Sequence, residues 1–281
     1  MRPRALIWQA FAAALLAAPA AGAAPTAAAA SIRLAPHRVV YDLSLLSSQG
    51  MRGVESARGR IAFDLTGNAC QGYSLTFRQV TVVEGAEPGS KLSDLRTASH
   101  ESGDGRLFRF RSDTTSGSAK TSVQGDAERR PEGLHIRLRS PKRQTVALPG
   151  EVVFPNAQIR ELIQAGQDGR RLHSMKVFDG ADDGRKVYNT LAVIGAPIAP
   201  GPARNLEPAA LASGLAKLTR WPVTLSYFEQ GRGDVLPAYV LSFELYENGV
   251  SRALKLDYGS FVLRGEMVRL DLLSDASGCP R

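Results

Sequence analysis

The sequence predicts an all-β fold with one or two short helices, built as an antiparallel barrel or sandwich. Three observations carry this. Apolar residues recur with a period of two in segment after segment, turn residues separate many of these segments at short intervals, and one segment alone has helical spacing. One apolar face per strand fits a single curved sheet around a core.

The elements follow in order. Val39, Tyr41, Leu43 and Leu45 share one face of the first candidate strand. Ile61, Phe63 and Leu65 alternate with Arg60, Ala62 and Asp64, and Tyr73, Leu75 and Phe77 alternate with Ser74, Thr76 and Arg78. Further strands are expected over 91–101, 107–113, 120–127, 134–139 and 145–148, with turns at Gly103-Asp104-Gly105, Gly117 and Gly125. Pro155 suits a helix start and Gly166 a helix end, and Ile159, Leu162 and Ile163 between them fall at i, i+3 and i+4. A helix of about three turns is expected there, plugging the barrel or packed inside it, with a movable lid as its functional variant. Strands over 172–178 and 186–194 come next. The Pro- and Ala-rich stretch 195–207 reads as a stiff loop, and 208–218 as a second short helix. Strands over 222–229, 238–246, 251–258 and 261–273 complete the chain, with turns at Gly231-Arg232-Gly233-Asp234 and Glu247-Asn248-Gly249.

The start of the chain reads as a secretion signal. Arg2 and Arg4 precede an apolar run from Ala5 to Ala18, Pro19 breaks it, and Ala21-Gly22-Ala23 fits a small-x-small cleavage pattern. The run is too short for a comfortable membrane span, and no later stretch reaches that length. The expected organisation is a signal peptide and leader over 1–30 and a single domain over 31–281, exported to the periplasm of a Gram-negative cell. Removing Arg2 and Arg4 leaves 33 basic against 27 acidic residues, about +6. A mild positive charge of this kind suits an envelope rich in phosphate and carboxylate polymers, and it is not clustered as nucleic-acid binding requires.

Cys70 and Cys279 are the only cysteines, each in a turn-like setting and neither with a C-x-x-C neighbour. In an oxidising compartment they are expected to form one disulfide tying the C-terminus to an early strand.

Motifs for catalysis are absent. His37, His100, His135 and His173 follow no paired-ligand spacing, and there is no G-x-S-x-G elbow. Neither a metal, a cofactor nor a catalytic residue is expected. Gly117-Ser118-Ala119-Lys120-Thr121 lacks the second glycine of a phosphate loop, and Asp179-Gly180-Ala181-Asp182-Asp183-Gly184 misses the spacing of a calcium loop; both read as hairpin turns. Arg109 and Arg111 lie opposite Phe108 and Phe110, and Arg137 and Arg139 opposite Ile136 and Leu138. If those strands are neighbours, the four arginines make a basic outer patch able to meet lipid phosphates or an acidic protein.

Taken together, these pieces resemble the EipB family of periplasmic cell-envelope-integrity proteins of alphaproteobacteria. The match runs through Leu34-Ala35-Pro36-His37-Arg38, Tyr41-Asp42-Leu43, Ala57-Arg58-Gly59-Arg60, Cys70 with Gly72-Tyr73, Phe77-Arg78-Gln79 and Ser93-Asp94-Leu95. It continues through Phe154-Pro155, Asp179-Gly180, Lys186-Val187-Tyr188, Trp221-Pro222-Val223, Ser226-Tyr227-Phe228, Tyr246-Glu247-Asn248-Gly249-Val250 and Cys279. The resemblance implies a β-spiral, an open antiparallel barrel around a helix, similar to periplasmic lipoprotein carriers of the LolA and LolB type. It implies a Cys70–Cys279 disulfide, no enzymatic activity, and work alongside a tetratricopeptide-repeat periplasmic protein. Where the family pattern leads to Thr and His after Phe-Pro, this chain has Asn156-Ala157-Gln158.

The expected function is therefore non-enzymatic maintenance of the cell envelope through a protein partner. A carrier sheltering a lipid or lipoprotein acyl chain is the alternative, with Tyr41, Phe63, Phe77, Phe108, Ile159, Leu162 and Ile163 lining its cavity; the same residues would equally make a dry core. A hydrolase of envelope glycans or lipids is the third reading, with no motif behind it.

Overall fold

A computed structural model describes residues 32–49, 53–85, 89–201, 206–229 and 236–274. The predicted signal segment, the Arg232-Gly233-Asp234 turn and Cys279 lie outside the described residues.

Among the described residues, fourteen antiparallel strands form one sheet. The first eight are β1 (His37–Ser48), β2 (Val54–Asn68), β3 (Gly72–Gly85), β4 (Ser90–Glu101), β5 (Leu107–Ser116), β6 (Ala119–Arg130), β7 (Gly133–Ser140) and β8 (Gln144–Pro149). Helix α1 (Pro155–Gln167) follows, then β9 (Leu172–Val177), β10 (Tyr188–Ile194), a short helix α2 (Pro208–Ala212), β11 (Arg220–Glu229), β12 (Tyr239–Tyr246), β13 (Ser251–Asp257) and β14 (Phe261–Leu272). The strand order is β8-β7-β6-β5-β4-β3-β2-β1-β14-β13-β12-β11-β10-β9. Each strand pairs with its neighbours in sequence, except that β1 and β14 join the two runs and β8 and β9 end them. The long register of β1 against both β2 and β14 fixes this seam.

The sheet stays open, as expected of a spiral. β8 and β9 end the sheet, and the segment that follows β8 meets β9 in a parallel bridge, Val153 to Val177, with Val153 N–H donating to Lys176 O at 2.8 Å and Phe178 N–H to Val153 O at 3.0 Å. The turn between β8 and α1 thus covers part of an otherwise unpaired edge, which limits edge-to-edge association.

Alternation delivers the core. Val39, Tyr41, Leu43, Ile61, Leu65, Leu225, Leu245 and Leu263 point inward and join Leu162 and Ile163 of α1 in one cluster. A second cluster gathers Phe108, Phe110, Val123, Ile136, Phe154 and Phe178 on the inner face of β5–β7. Phe154 precedes α1, so the helix starts in the second cluster and its body lies in the first.

Three local expectations are corrected. Gly125 lies inside β6 rather than in a turn: a Cβ there would stand 2.8 Å from both Arg137 O and the Phe110 ring, so glycine admits that ring. Gly166 does not end α1, which runs to Gln167; a Cβ on Gly166 would lie 2.9 Å from the Trp221 indole, and glycine lets helix and sheet approach. The expected helix over 208–218 is two pieces, α2 and a 3₁₀ turn at Leu215–Lys217, because Gly214 takes a left-handed φ of 75° between them.

Candidate functional site: the interior around the central helix

Helix α1 is held at its start by a carboxylate from across the sheet. Its N-terminal boundary residue, Phe154, offers no side-chain cap. Glu101, 1% exposed at the end of β4, takes that role: its Oε2 accepts from Asn156 N–H at 2.8 Å and its Oε1 from Ala157 N–H at 3.0 Å and Arg160 Nη2 at 3.2 Å. Two orphan donors of the first turn and the helix dipole are thereby satisfied by one buried anion. Burial raises the Glu101 pKa against the pull of these donors. Rings complete the anchorage, with Phe108 stacked on Phe154 at 4.9 Å and Phe178 edge-on to both Phe108 and Phe110 at 6.2 and 5.4 Å.

Beside the first turn of α1 lies a tyrosine centre. Tyr227 stacks on Tyr239 at 4.3 Å, and Tyr188 meets Tyr227 edge-on at 5.9 Å. Tyr227 donates to Gln158 Oε1 at 3.5 Å. Tyr188 donates to Asp182 Oδ2 at 2.5 Å, while Lys186 Nζ bridges Asp182 at 2.9 Å and Glu229 at 3.0 Å. Burial pushes the Tyr227 phenol up to about 12 and raises Tyr188 and Tyr239 as well. Asp179 lies within electrostatic range of all three tyrosines, and burial raises its pKa too.

The acidic loop 179–184 belongs to the hairpin connection between the paired strands β9 and β10, as expected, with Asp182 and Asp183 exposed and Gly180 and Gly184 buried. It lies across the inner face of β5–β7: a Cβ on Gly180 would stand 2.4 Å from the Phe110 ring, and one on Gly184 2.5 Å from Val123. Gly180 and Gly184 both have left-handed φ, 73° and 70°. Asp182 is already engaged by Tyr188 and Lys186. Among the described residues no group of three or more His, Cys, Asp or Glu is arranged to hold a metal.

A second ionic knot fastens α2. Arg252 bonds Glu207 through Nε at 2.6 Å and Glu244 through Nη1 at 2.5 Å, and Arg220 Nε reaches Glu244 at 2.6 Å. Ser213 Oγ, just after α2, donates to Leu270 O of β14 at 2.9 Å. The bonds of Arg252 and Arg220 tie the residue before α2 to strands β11, β12 and β13.

The predicted residues are distributed as follows. Tyr41 is buried, its hydroxyl donating to Ser251 O at 2.6 Å. Leu162 and Ile163 are buried beside it in the first cluster, with Phe63, Phe77 and Ile159 half-buried against that cluster. Phe108 belongs to the second cluster, so the seven do not line one cavity. Arg109, Arg111, Arg137 and Arg139 are exposed on one wall, but β5 and β7 flank β6, and β6 presents carboxylates between them. Arg109 and Arg139 both face Asp126, the former at 3.7 Å; Arg111 pairs with Asp113 at 2.7 Å and Arg137 with Glu128 at 3.9 Å. The wall is a ladder of alternating charge rather than a basic patch. Cys70 sits in the β2–β3 turn, shaped by Asn68 Oδ1, which accepts from the N–H groups of Cys70 and Gln71 at 2.9 Å each.

Sequence reading missed Glu101 as the anchor and the three tyrosines as a set. Glu101 carried a usable signal: it has the inward parity of Leu95, Thr97 and Ser99 on β4, where a charge is out of place. The tyrosines carried none, because Tyr188, Tyr227 and Tyr239 come from three strands.

Comparison with known proteins places this architecture. Residues 28–274 match the EipB-like family. The chain is 34% identical over 269 residues to the cell envelope integrity protein EipB of Brucella abortus (strain 2308), covering 93% of this chain and 92% of that protein. It superposes with a TM-score of 0.79 on the crystal structure of a β-barrel-like protein of domain of unknown function DUF1849 from Brucella abortus, at 34% identity, covering 86% of this chain and 100% of the other. With a single 14-stranded open sheet wound around a buried helix and a family match over nearly its whole length, this chain belongs to the EipB-like family.

Proposed function

We propose that this chain is a non-enzymatic periplasmic protein that maintains the integrity of the cell envelope by binding a protein partner at its outer surface. The envelope role rests on the relative's name, and export rests on the signal-like start of the sequence. One observation carries the rest of the reading: the buried Glu101 carboxylate pins the first turn of α1, supporting a helix that is fixed core and a function that lies outside it. The outer wall offers paired arginines and carboxylates, a surface suited to a partner of complementary charge pattern such as a tetratricopeptide-repeat protein.

A carrier role for a lipid or lipoprotein acyl chain is the second reading. It is favoured by Phe63, Phe77 and Ile159, which stay half-buried where a dry core would bury them.

The test is crosslinking in periplasm followed by gentle purification and native mass spectrometry. The reading expects a protein partner, lost in a salt-sensitive way when Arg109, Arg111, Arg137 and Arg139 are replaced by Glu. A stoichiometric lipid and no partner would support the carrier instead. Loss of the protein should sensitise cells to detergent, with rescue by the exported chain and none by a chain lacking residues 1–30.

A further inference from the structure

The outer face of the sheet has a hollow over its central seam. Residues of outward parity form two rows there. One row runs Arg269 (β14), Val40 (β1), Ala62 (β2) and Arg78 (β3), and the next runs Asp271, Arg38, Asp64 and Thr76 across the same strands. Val40, Ala62 and Thr76 are short and the arginines around them are long, so an open groove of about 310 Å³ lies over that floor. This volume is at the lower end of the roughly 300–1,000 Å³ of small-ligand sites. The charged groups on the rim are only partly used. Arg38 gives Nε alone to Asp64 at 2.7 Å and Arg269 gives Nε alone to Asp271 at 2.8 Å, so the Nη groups of both have no hydrogen-bond partner among the described residues. Arg38 and Arg269 are diagonal neighbours on the β1–β14 pair. Such neighbours stand about 7–8 Å apart, within reach of long side chains, so the two free guanidinium ends can meet one anion. Arg78, with Nε and Nη2 both on Asp94 at 3.0 and 2.9 Å, serves as a wall. Asp64 spends Oδ2 on Arg38, while its covered Oδ1 has no partner among the described residues. An acceptor left in that state marks a place where a donor is missing.

We propose that this groove binds the carboxylate end of a peptide with small apolar side chains. The chemistry selects that class. A carboxylate matches the planar Nη ends of Arg38 and Arg269. The amide N–H just before it supplies the donor that Asp64 lacks, and methyl-sized side chains rest on Val40 and Ala62. A phosphate monoester brings about two negative charges and no N–H, and it meets Asp64 and Asp271 as like charges. A cation meets the guanidinium groups of Arg38, Arg78 and Arg269. A bare acyl chain would cover the guanidinium groups without pairing them. A protein C-terminus supplies the proposed end with L-residues, and a cell-wall peptide supplies it with D-residues. The inference goes beyond the partner reading: it concerns β14–β1–β2–β3 rather than β5–β7, and it is read on the isolated protein rather than by co-purification.

A nuclear magnetic resonance titration of the processed full-length protein tests it, with N-acetyl-L-Ala-L-Ala and N-acetyl-D-Ala-D-Ala as probes. The C-terminal amide of each peptide, inorganic phosphate and octanoate are the competing classes. Saturable shifts of the Arg38, Val40 and Ala62 amides are expected with one free-acid peptide, and its handedness identifies a protein end or a cell-wall peptide as the source. Affinity should fall at least ~10-fold for the C-terminal amide, and by as much in Arg38→Gln, Arg269→Gln and Ala62→Leu. Ala62→Leu fills the floor at an exposed position and removes no charge, so an unchanged melting temperature separates lost binding from lost fold. No saturation by either peptide up to about 10 mM, or binding of phosphate or octanoate in their place, would overturn the proposal. So would equal binding of acid and amide, or peptide binding that the three variants leave unchanged.

Discussion

The carboxylate of Glu101 accepts the backbone N–H of Asn156 at 2.8 Å, joining the end of the fourth strand to the first turn of α1, the longest helix among the described residues, 55 residues further along the chain. The helix has no cap of its own, so its start depends on a strand laid down earlier in the sequence.

Glu101→Ala should therefore destabilise the protein by about 3 kcal/mol, since it strands two helix N–H groups and the Arg160 guanidinium in the interior. Glu101→Gln keeps one acceptor oxygen and should cost less. Urea unfolding followed by circular dichroism measures both. Equal stability of parent and Ala variant would mean that the helix is held by packing alone.

Gly166→Ala should cost about 1–3 kcal/mol although alanine favours helices, because the added methyl meets the Trp221 indole at 2.9 Å. The Trp221 fluorescence maximum should shift in the same variant. A stabilising effect would show that the indole moves aside freely.

Asp94 sets a pH prediction with a definite sign. Hydrogen bonds from Arg78 and then Arg96 hold its carboxyl down from 3.8 to about 2. A carboxylate with a depressed folded pKa binds fewer protons folded than unfolded, so its contribution is present above pH 3.8 and is lost as pH falls through about 2. The parent should lose more stability than Asp94→Asn between pH 5 and pH 2. Parallel pH profiles would remove Asp94 from the account of acid sensitivity.

Cys70→Ser should lower the melting temperature under oxidising conditions, and reductant should do the same to the parent, with a stability loss of as much as roughly 5 kcal/mol on loop-closure arithmetic. The sheet makes the pairing reachable. Leu272, the last residue of β14, pairs with His37, which pairs with Leu65 on the strand leading into the Cys70 turn. Six residues lie between Leu272 and Cys279, so seven steps give an extended reach of about 23 Å against two strand spacings and the five steps from Leu65 to Cys70. Insensitivity of the parent to reductant would remove the disulfide.

Much of the fold was legible in the sequence because a period of two survives in each strand by itself. Val39-Tyr41-Leu43 and Tyr73-Leu75-Phe77 announce their inward faces with no knowledge of partners. The helix was legible from Pro155 and the Ile159–Leu162–Ile163 spacing. Its end was misread at Gly166 because a glycine that admits the Trp221 ring looks, in sequence, like one that stops a helix. Gly125 was misread for the same reason, with Phe110 as the ring. The arginines of β5 and β7 seemed to add up because alternation gives a face but not the strand between: Asp126 and Glu128 of β6, with Asp113 of β5, lie among them. The interior centre was least legible, since Gln158, Asp179, Tyr188, Tyr227 and Tyr239 meet only through long-range pairing and each is ordinary in its own segment.

The central claim is that α1 belongs to the fixed core and is not a lid. Native-state hydrogen exchange of the α1 amides tests it most directly. The account predicts that Leu162, Ile163 and Ala165 exchange only with global unfolding, at the same free energy as the central strands β1 and β14. Exchange of these amides through a local opening several kcal/mol below the global value would contradict it and make the helix a gate to the interior.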